Sequence, residues 1–458
     1  MMFRRFYCTP LAQAAYLIGH DGEAAVVDPP RDIAEITAFA ARQGLRIRWA
    51  LSTHVHADFC AGLAELAAAT GATVGLGERF DGALPCERLA DDRELRIGGA
   101  VLTVLPTPGH TPESVSFLLR GPAASGAPDR LLSGDTLFLG DVGRPDLVAG
   151  RGLPPEQMAR ALFRSLHERL APLPDTTEVW PAHGAGSACG TDISCEESST
   201  IGLQRVGNWA LAERDEDAFC ARLLAALRPP PRYFARVAAV NRRGPALLGA
   251  LPAPRQLDAA GVQRHLDEGG AVLDVRSRQR HADGHWPGAL NAASDGNDFE
   301  TWAGSLLEPD ATVVLHVAEH AQLAPALARL RRIGLDAVVG WTDAPAAAPR
   351  THRQLAASEL FVALQGGAAW QIVDVRRPAE FAAAHLDGAV HAELGPGLAA
   401  HAALAALDRA MPTAVICRSG YRSSAALRQL HEMGFRALAN VQDGMLGWQG
   451  NHLPTSVG

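Results

Sequence analysis

Two histidines and an aspartate stand at alternate positions in Thr53-His54-Val55-His56-Ala57-Asp58, just after an apolar run that ends at Leu51. Alternate side chains of an extended segment project to one side, as shared metal ligation requires. Three more residues of ligand type each follow a short apolar run: His110 in Pro108-Gly109-His110-Thr111-Pro112, Asp135 in Ser133-Gly134-Asp135-Thr136, and His183 in Pro181-Ala182-His183-Gly184. Any one of the 17 histidines is best read as a surface or satisfied core residue. Ligand types recurring at strand ends in this order read better as a metal centre.

A second constellation centres on a thiol. Thr413 to Ile416 reads as a buried strand, and Cys417-Arg418-Ser419-Gly420-Tyr421-Arg422 as a loop that opens a helix. Successive loop N–H groups and the helix N-terminus make a positive cradle. Such a field favours a thiolate nucleophile and would equally stabilise the terminal sulfur anion of a cysteine persulfide. An inert buried Cys leaves the flanking Gly and the two Arg unexplained. The Cys-x4-Arg spacing is one residue shorter than the loop of tyrosine phosphatases, and the smaller ring suits a sulfur atom better than a phosphoryl group.

The elements that must position these groups are legible in outline. Ala24 to Val27 reads as a strand, Ile33 to Gln43 as a helix and Ile47 to Leu51 as a strand. Beyond a Pro-, Arg- and Gly-rich stretch, an internal repeat is offset by 100 residues: Val272-Leu273-Asp274-Val275-Arg276 matches Ile372-Val373-Asp374-Val375-Arg376, and His285 matches His385. A strand ending in an Asp-Val-Arg turn, with a later strand feeding a helix, suits a small parallel α/β domain. The same offset sets Val317 opposite Cys417, followed by Ala-Glu-His-Ala-Gln, so the first copy cannot hold a persulfide and reads as a spacer or docking surface. His316, one residue earlier, reads as a surface residue.

Composition bounds the rest. The chain has 458 residues and a formal net charge of -8, which argues against nucleic acid and against a polybasic membrane site. All 42 basic residues are Arg, so lysine Schiff-base chemistry and a phosphate-loop lysine are excluded. Seven scattered cysteines without framework spacing point to a reducing compartment. No signal peptide and no apolar run near membrane length is evident, so a cytoplasmic protein is expected.

The His and Asp pattern resembles the metallo-β-lactamase fold superfamily over residues 1–227, with Phe59 where the second-metal His should stand. A phenyl ring cannot ligate, so the dinuclear site of the zinc hydrolases in that superfamily should be incomplete. The resemblance leaves a mononuclear centre of His54, His110 and Asp135. His56 would complete the ligand sphere or bind water, and Asp58 and His183 would hydrogen-bond around it. Two His and one carboxylate suit non-haem Fe(II), although a catalytic zinc can use the same set. Gly140 to Leu147, His183 to Gly190 and His-Ala-Asp-Phe at 56–59 look like the persulfide dioxygenase branch, with Thr191 where those relatives usually carry Lys.

That resemblance implies one Fe(II) per chain, O2 as co-substrate and a low-molecular-weight thiol persulfide as substrate. It also implies sulfite or thiosulfate as product, and oligomers. Arg144 would pair with an anionic substrate or with a loop carboxylate. A thiolate at Cys189 could relay sulfane sulfur, the bland alternative being a small buried residue. Cys8, Cys60, Cys86, Cys195 and Cys220 read as small buried residues. The repeat resembles rhodanese, with Cys417 as the sulfur-carrying nucleophile and 418–422 as its anion-cradling loop. The expected architecture is mixed α/β and α+β: an αββα sandwich at 1–227, a linker at 228–256, a rhodanese-like domain without its Cys at 257–345 and an active one at 355–458. The competing readings are a zinc thioester hydrolase similar to glyoxalase II fused to a sulfurtransferase, and a sulfur carrier or sensor with a structural metal.

Overall fold

A computed structural model describes residues 1–122 and 126–457. The chain divides into two compact units, Met1–Leu251 with Arg331–Gly334, and Pro252–Leu330 with Leu335–Gly458.

In the first unit β1 (Met2–Cys8), β2 (Gln13–His20), β3 (Glu23–Val27), β4 (Arg46–Leu51), β5 (Thr73–Gly77) and β6 (Glu87–Leu89) pair in sequence order. A second sheet orders β12 (Ser199–Thr200), β11 (Glu178–Pro181), β10 (Arg130–Gly134), β9 (Val115–Arg120), β8 (Ala100–Pro106) and β7 (Glu94–Ile97). Ala14, Tyr16 and Ile18 alternate along β2 and meet Leu102, Val104, Val115, Phe117 and Leu119 in one apolar layer between the sheets. This is the period-two pattern of strands with one face on a core. The residues between them in sequence serve the other face. Leu118 and Leu131 pack with Ala159, Leu162, Leu166, Leu211 and Phe219 from the helical layer. The helices Ala34–Arg42 and Leu63–Thr70 bury Ile36, Ala40, Leu63 and Leu66 against the first sheet. The sandwich is αββα, as expected.

Strand direction brings the candidate ligands to one edge. β8 and β10 both run antiparallel to β9, and β11 runs parallel to β10, so the three end on the same side. His110, Asp135 and His183 follow those ends, and His54 follows β4, whose exit is tied to the second sheet by Val115 N–H on the Thr53 carbonyl.

The stretch 228–256, expected as a linker, holds a ten-residue helix, Phe234–Arg243. Its buried residues Phe234, Val237, Ala238 and Asn241 fall at helical spacing. The surrounding Arg, Gly and Pro masked that period.

In the second unit each copy of the repeat forms a five-stranded parallel sheet. The first orders β13 (Arg255–Gln256), β17 (Val338–Thr342), β16 (Val313–His316), β14 (Ala271–Asp274) and β15 (Leu290–Asn291). The other orders β18 (Arg353–Leu355), β22 (Leu438–Val441), β21 (Thr413–Ile416), β19 (Gln371–Asp374) and β20 (Val390–His391). The Asp-Val-Arg turn has the same structural cause in both. Asp274 and Asp374 are fully buried, and each is capped by its own Arg, Arg276 or Arg376, with Nη2 at 2.6 Å. Asp274 pairs with His316 where Asp374 pairs with Ile416, so Val317 does occupy the Cys417 position. His316 is not at the surface. It is buried beside Asp274, its Nδ1 3.6 Å from that carboxylate, because it ends a central strand. No helix among the described residues is long and apolar enough to cross a membrane.

Candidate metal centre and thiol loop

Three buried polar atoms face one another at the edge of the sandwich. His54 Nε2 and His110 Nε2 lie 3.8 and 3.5 Å from Asp135 Oδ2, and none of the three has a hydrogen-bond partner among the described residues. Unpartnered buried polar groups are costly, so their convergence calls for a shared ligand. The remaining atoms of these side chains fix which lone pairs point inward. His110 Nδ1 donates to the Arg144 carbonyl at 2.8 Å, which leaves Nε2 as acceptor. Thr53 Oγ1 donates to Asp28 Oδ2 and so accepts from His54 Nδ1 at 2.9 Å, which frees His54 Nε2 in the same way. Burial holds both imidazoles neutral by pushing their pKa down. Burial alone would raise the Asp135 carboxyl, but the His183 ring hydrogen-bonded to it outweighs that and keeps it ionised. Two neutral imidazoles and a carboxylate are the donor set of a divalent metal ion, so the residues present fit one. Gly143 is required here because a Cβ would meet the Asp135 carbonyl at 2.0 Å and His110 Nδ1 at 2.9 Å.

The second set, His56, Asp58 and His183, is arranged differently. His183 Nδ1 lies 2.7 Å from Asp135 Oδ1 and its Nε2 2.8 Å from Asp58 Oδ2. Burial opposes protonation, yet the two carboxylates outweigh it and raise the His183 pKa well above its ordinary value. An imidazolium donating from both nitrogens offers no lone pair, so His183 is a clamp on Asp135 here. His56 Nε2 donates to Asp28 Oδ1 at 2.9 Å, and its ring lies 4.3 Å from that of the fully buried Phe59. Its buried Nδ1 has no partner among the described residues, and His56 groups with Asp58 and His183 rather than with His54, His110 and Asp135.

The Arg144 fork is filled by Asp146, at 2.6 and 2.8 Å, and by the Ala188 and Arg228 carbonyls. It fastens a loop and is not poised for a substrate anion. Cys189 lies within ligand distance of Asp135 and His183, but burial and the Asp135 and Asp58 charges push its thiol pKa well up. Cys195 is exposed and Cys8 and Cys86 are half-buried, unlike the buried residues expected at those positions.

Sequence reasoning missed Asp28, Glu113 and Asn241. Asp28 follows β3 with a left-handed φ of 52° and gathers Ser52, Thr53 and His56 on one carboxylate. The strand end Val26-Val27-Asp28 before two prolines was its signal. Glu113 Oε1 accepts the Val55 N–H at 3.0 Å. Asn241 accepts from Ala61 N–H and donates to the His56 and Phe59 carbonyls, at 2.8–2.9 Å. Replacing Asn241 by Ala strands three buried backbone groups. It should lower the unfolding free energy by about 2–4 kcal/mol, read by urea denaturation, with metal occupancy falling in parallel.

At the other centre Cys417 follows the central strand β21, buried, its Sγ accepting from Gly420 N–H at 3.1 Å and Ser423 Oγ at 3.3 Å. The helix Tyr421–Glu432 starts there. Gly420 has φ 84°, and a Cβ on it would meet the Gln442 carbonyl at 2.2 Å. Arg418 is exposed. Arg422 is bound bidentately by Glu380 at 2.6 and 2.7 Å. Burial would raise the Glu380 carboxyl, but Arg422 holds it down at about 2 against an ordinary 4.5. The ion pair therefore contributes stability fully above pH 4.5 and loses it as pH falls toward 2. Glu380→Gln should flatten that part of the acid limb in unfolding curves taken at stepped pH.

The first copy reaches this loop. Arg278 donates to the Ser419 and Gln442 carbonyls and lies 4.0 Å over the Tyr421 ring, Tyr421 Oη meets Asp295 at 3.3 Å, and Ser424 Oγ meets Asn291 at 2.7 Å.

Residues 8–183 match the metallo-beta-lactamase superfamily, and 258–342 and 358–451 each match the rhodanese-like domain. The chain is similar to the hydroxyacylglutathione hydrolase of Anaeromyxobacter dehalogenans, 39% identical over 37% of this chain and 60% of that protein. It is similar to the mitochondrial persulfide dioxygenase of Homo sapiens, 30% identical over 40% of this chain and 66% of that protein. Over 43% of this chain and 95% of the relative it is 31% identical to the probable metallo-hydrolase YqgX of Bacillus subtilis. The chain thus spans less than two thirds of the length of the first two relatives. Among solved structures, a metallo-beta-lactamase from Staphylococcus aureus superposes with TM-score 0.66 at 32% identity, covering 75% of this chain and 99% of that one.

Proposed function

The chain belongs to the metallo-beta-lactamase superfamily and carries two rhodanese-like domains behind that fold, and from this premise we propose that it oxidises a thiol-bound persulfide with O2 and carries sulfane sulfur on Cys417. The overall reaction is R–S–SH + O2 + H2O giving R–SH, sulfite and two protons. His54, His110 and Asp135 would hold one iron(II). That ion would supply the one-electron chemistry with O2 that zinc lacks. Thr53 and the Arg144 carbonyl orient the two imidazoles, and His183 steers Asp135 so that Oδ2 points inward. The observation that carries the reading is the convergence of three orphaned ligand atoms on His54, His110 and Asp135, with Phe59 and the doubly bonded His183 standing where a second metal would need donors. Similarity to the human persulfide dioxygenase supports it.

The Cys417 thiolate attacks the outer sulfur of R–S–SH, whose S–S bond breaks to release R–SH, and holds that sulfur as Cys–S–S⁻ with the Gly420 N–H and Ser423 hydroxyl beside it. Attack by sulfite on the outer sulfur then releases thiosulfate and returns the thiolate. Arg278 acts as a positioning residue for this loop. Arg278→Ala should lower kcat for thiosulfate-forming transfer by on the order of tenfold, the worth of one charged hydrogen bond. The persulfide-oxidising rate should be unchanged. Lys at 278 should not rescue, since it lacks the fork that spans two carbonyls.

A zinc thioester hydrolase is the second reading, favoured by the 39% identity to a hydroxyacylglutathione hydrolase. The two separate on substrate. Iron-loaded protein should consume glutathione persulfide and leave S-lactoylglutathione intact. Thioester hydrolysis by a two-zinc form, without persulfide turnover, would overturn the proposal.

A further inference from the structure

The second unit holds a histidine cluster unrelated to either centre. His281 and His285 belong to the first copy, and His352 to the segment that enters the second. One ring nitrogen from each lies within 4.8 Å of the others. The outward nitrogens are already committed. His281 Nδ1 donates to the buried Asp274 at 2.8 Å, and His285 Nδ1 donates to the His281 carbonyl at 2.8 Å. Both Nε2 atoms therefore carry lone pairs. A carboxylate or a backbone carbonyl on the far nitrogen is the usual support of a metal-bound imidazole. The rings of His281 and His285 stack at 3.8 Å, and those of His352 and His431 lie 5.6 and 6.4 Å from His285. His352 Nδ1 is buried and has no partner among the described residues.

From this geometry we propose that His281, His285 and His352 form a binding site for a late first-row divalent cation of the zinc class. Three imidazoles without a carboxylate in the ligand set favour zinc, cobalt(II) or nickel(II) over magnesium or calcium. The ion would tie the 350–354 segment to the helix Arg278–Asp283. Backbone bonds already join the two, from His352 N–H to the Ala282 carbonyl and between His285 and Arg350. Arg278, which holds the Cys417 loop, opens that helix. The site is thus structural and lies on the brace between the copies.

The test uses the full-length chain, stripped with chelator and titrated with Co(II), with metal quantified by mass spectrometry after desalting. His110→Ala disables the first centre. In that background one equivalent of Co(II) should still bind, with the visible bands of an imidazole-ligated ion, and Zn(II) should raise the melting temperature of the rhodanese-like unit. Adding His285→Gln and His352→Gln should remove that equivalent and the thermal shift. Should the triple variant fail to fold, His352→Ala alone, at a half-buried position, should weaken Co(II) binding at least about tenfold, the lower range for a lost supporting group. An unchanged stoichiometry in the glutamine variant, or no Co(II) bound by His110→Ala, would overturn the site.

Discussion

A His110→Ala chain should fold and yet lose its iron and its O2 uptake. His110 supplies one of three orphaned ligand atoms, and its own Nδ1 bond to the Arg144 carbonyl shows that the ring is held for that purpose. Removing a ligand should cost more than the roughly 10–100-fold seen when a supporting group is lost, so activity should fall at least about 100-fold. Near-UV circular dichroism checks the fold, and metal content follows from mass spectrometry. Sulfur transfer through Cys417 should persist, because that loop is built entirely from the second unit. Asp58→Asn gives the graded control. It weakens the clamp on His183, whose raised pKa rests on both carboxylates, and should reduce metal affinity by about tenfold without abolishing it.

The mirror result is expected at the thiol. Cys417→Ser keeps the size of the side chain and its Gly420 N–H contact, but removes the only atom on the loop that can carry sulfane sulfur. Thiosulfate formation should fall by roughly three orders of magnitude or more, as for loss of a catalytic nucleophile. Persulfide oxidation should continue, and the product should shift from thiosulfate to sulfite, read by ion chromatography. If Cys417→Ser left the product ratio unchanged, the two centres would not be coupled through this loop.

Much of this was legible before any coordinates. The strand-end placement of His54, His110 and Asp135 follows from apolar runs and residue type, and the 100-residue repeat gives both parallel sheets and the missing thiol. What escaped was settled by partners far apart in sequence. Spacing cannot reveal that Asp146 fills the Arg144 fork, or that Asp58 and Asp135 together saturate His183. Asn241 was hidden in a stretch whose Arg and Pro content suggested a linker, although Phe234, Val237 and Ala238 carried a helical period. His316 looked superficial because the cysteine of the other copy drew attention to the loop after it. It lies instead in a central strand against Asp274. The role of the first copy was invisible for the same reason, since Arg278 reaches Ser419 across 141 residues.

The central claim is that one iron ion at His54, His110 and Asp135 couples O2 to persulfide oxidation. It is tested most directly with an oxygen electrode, using protein loaded anaerobically with Fe(II) and given glutathione persulfide. One O2 should disappear for each sulfite formed, with thiosulfate counted as further sulfite captured, and uptake should stop in His110→Ala. Persulfide loss without O2 uptake, or full activity with zinc alone, would contradict the account.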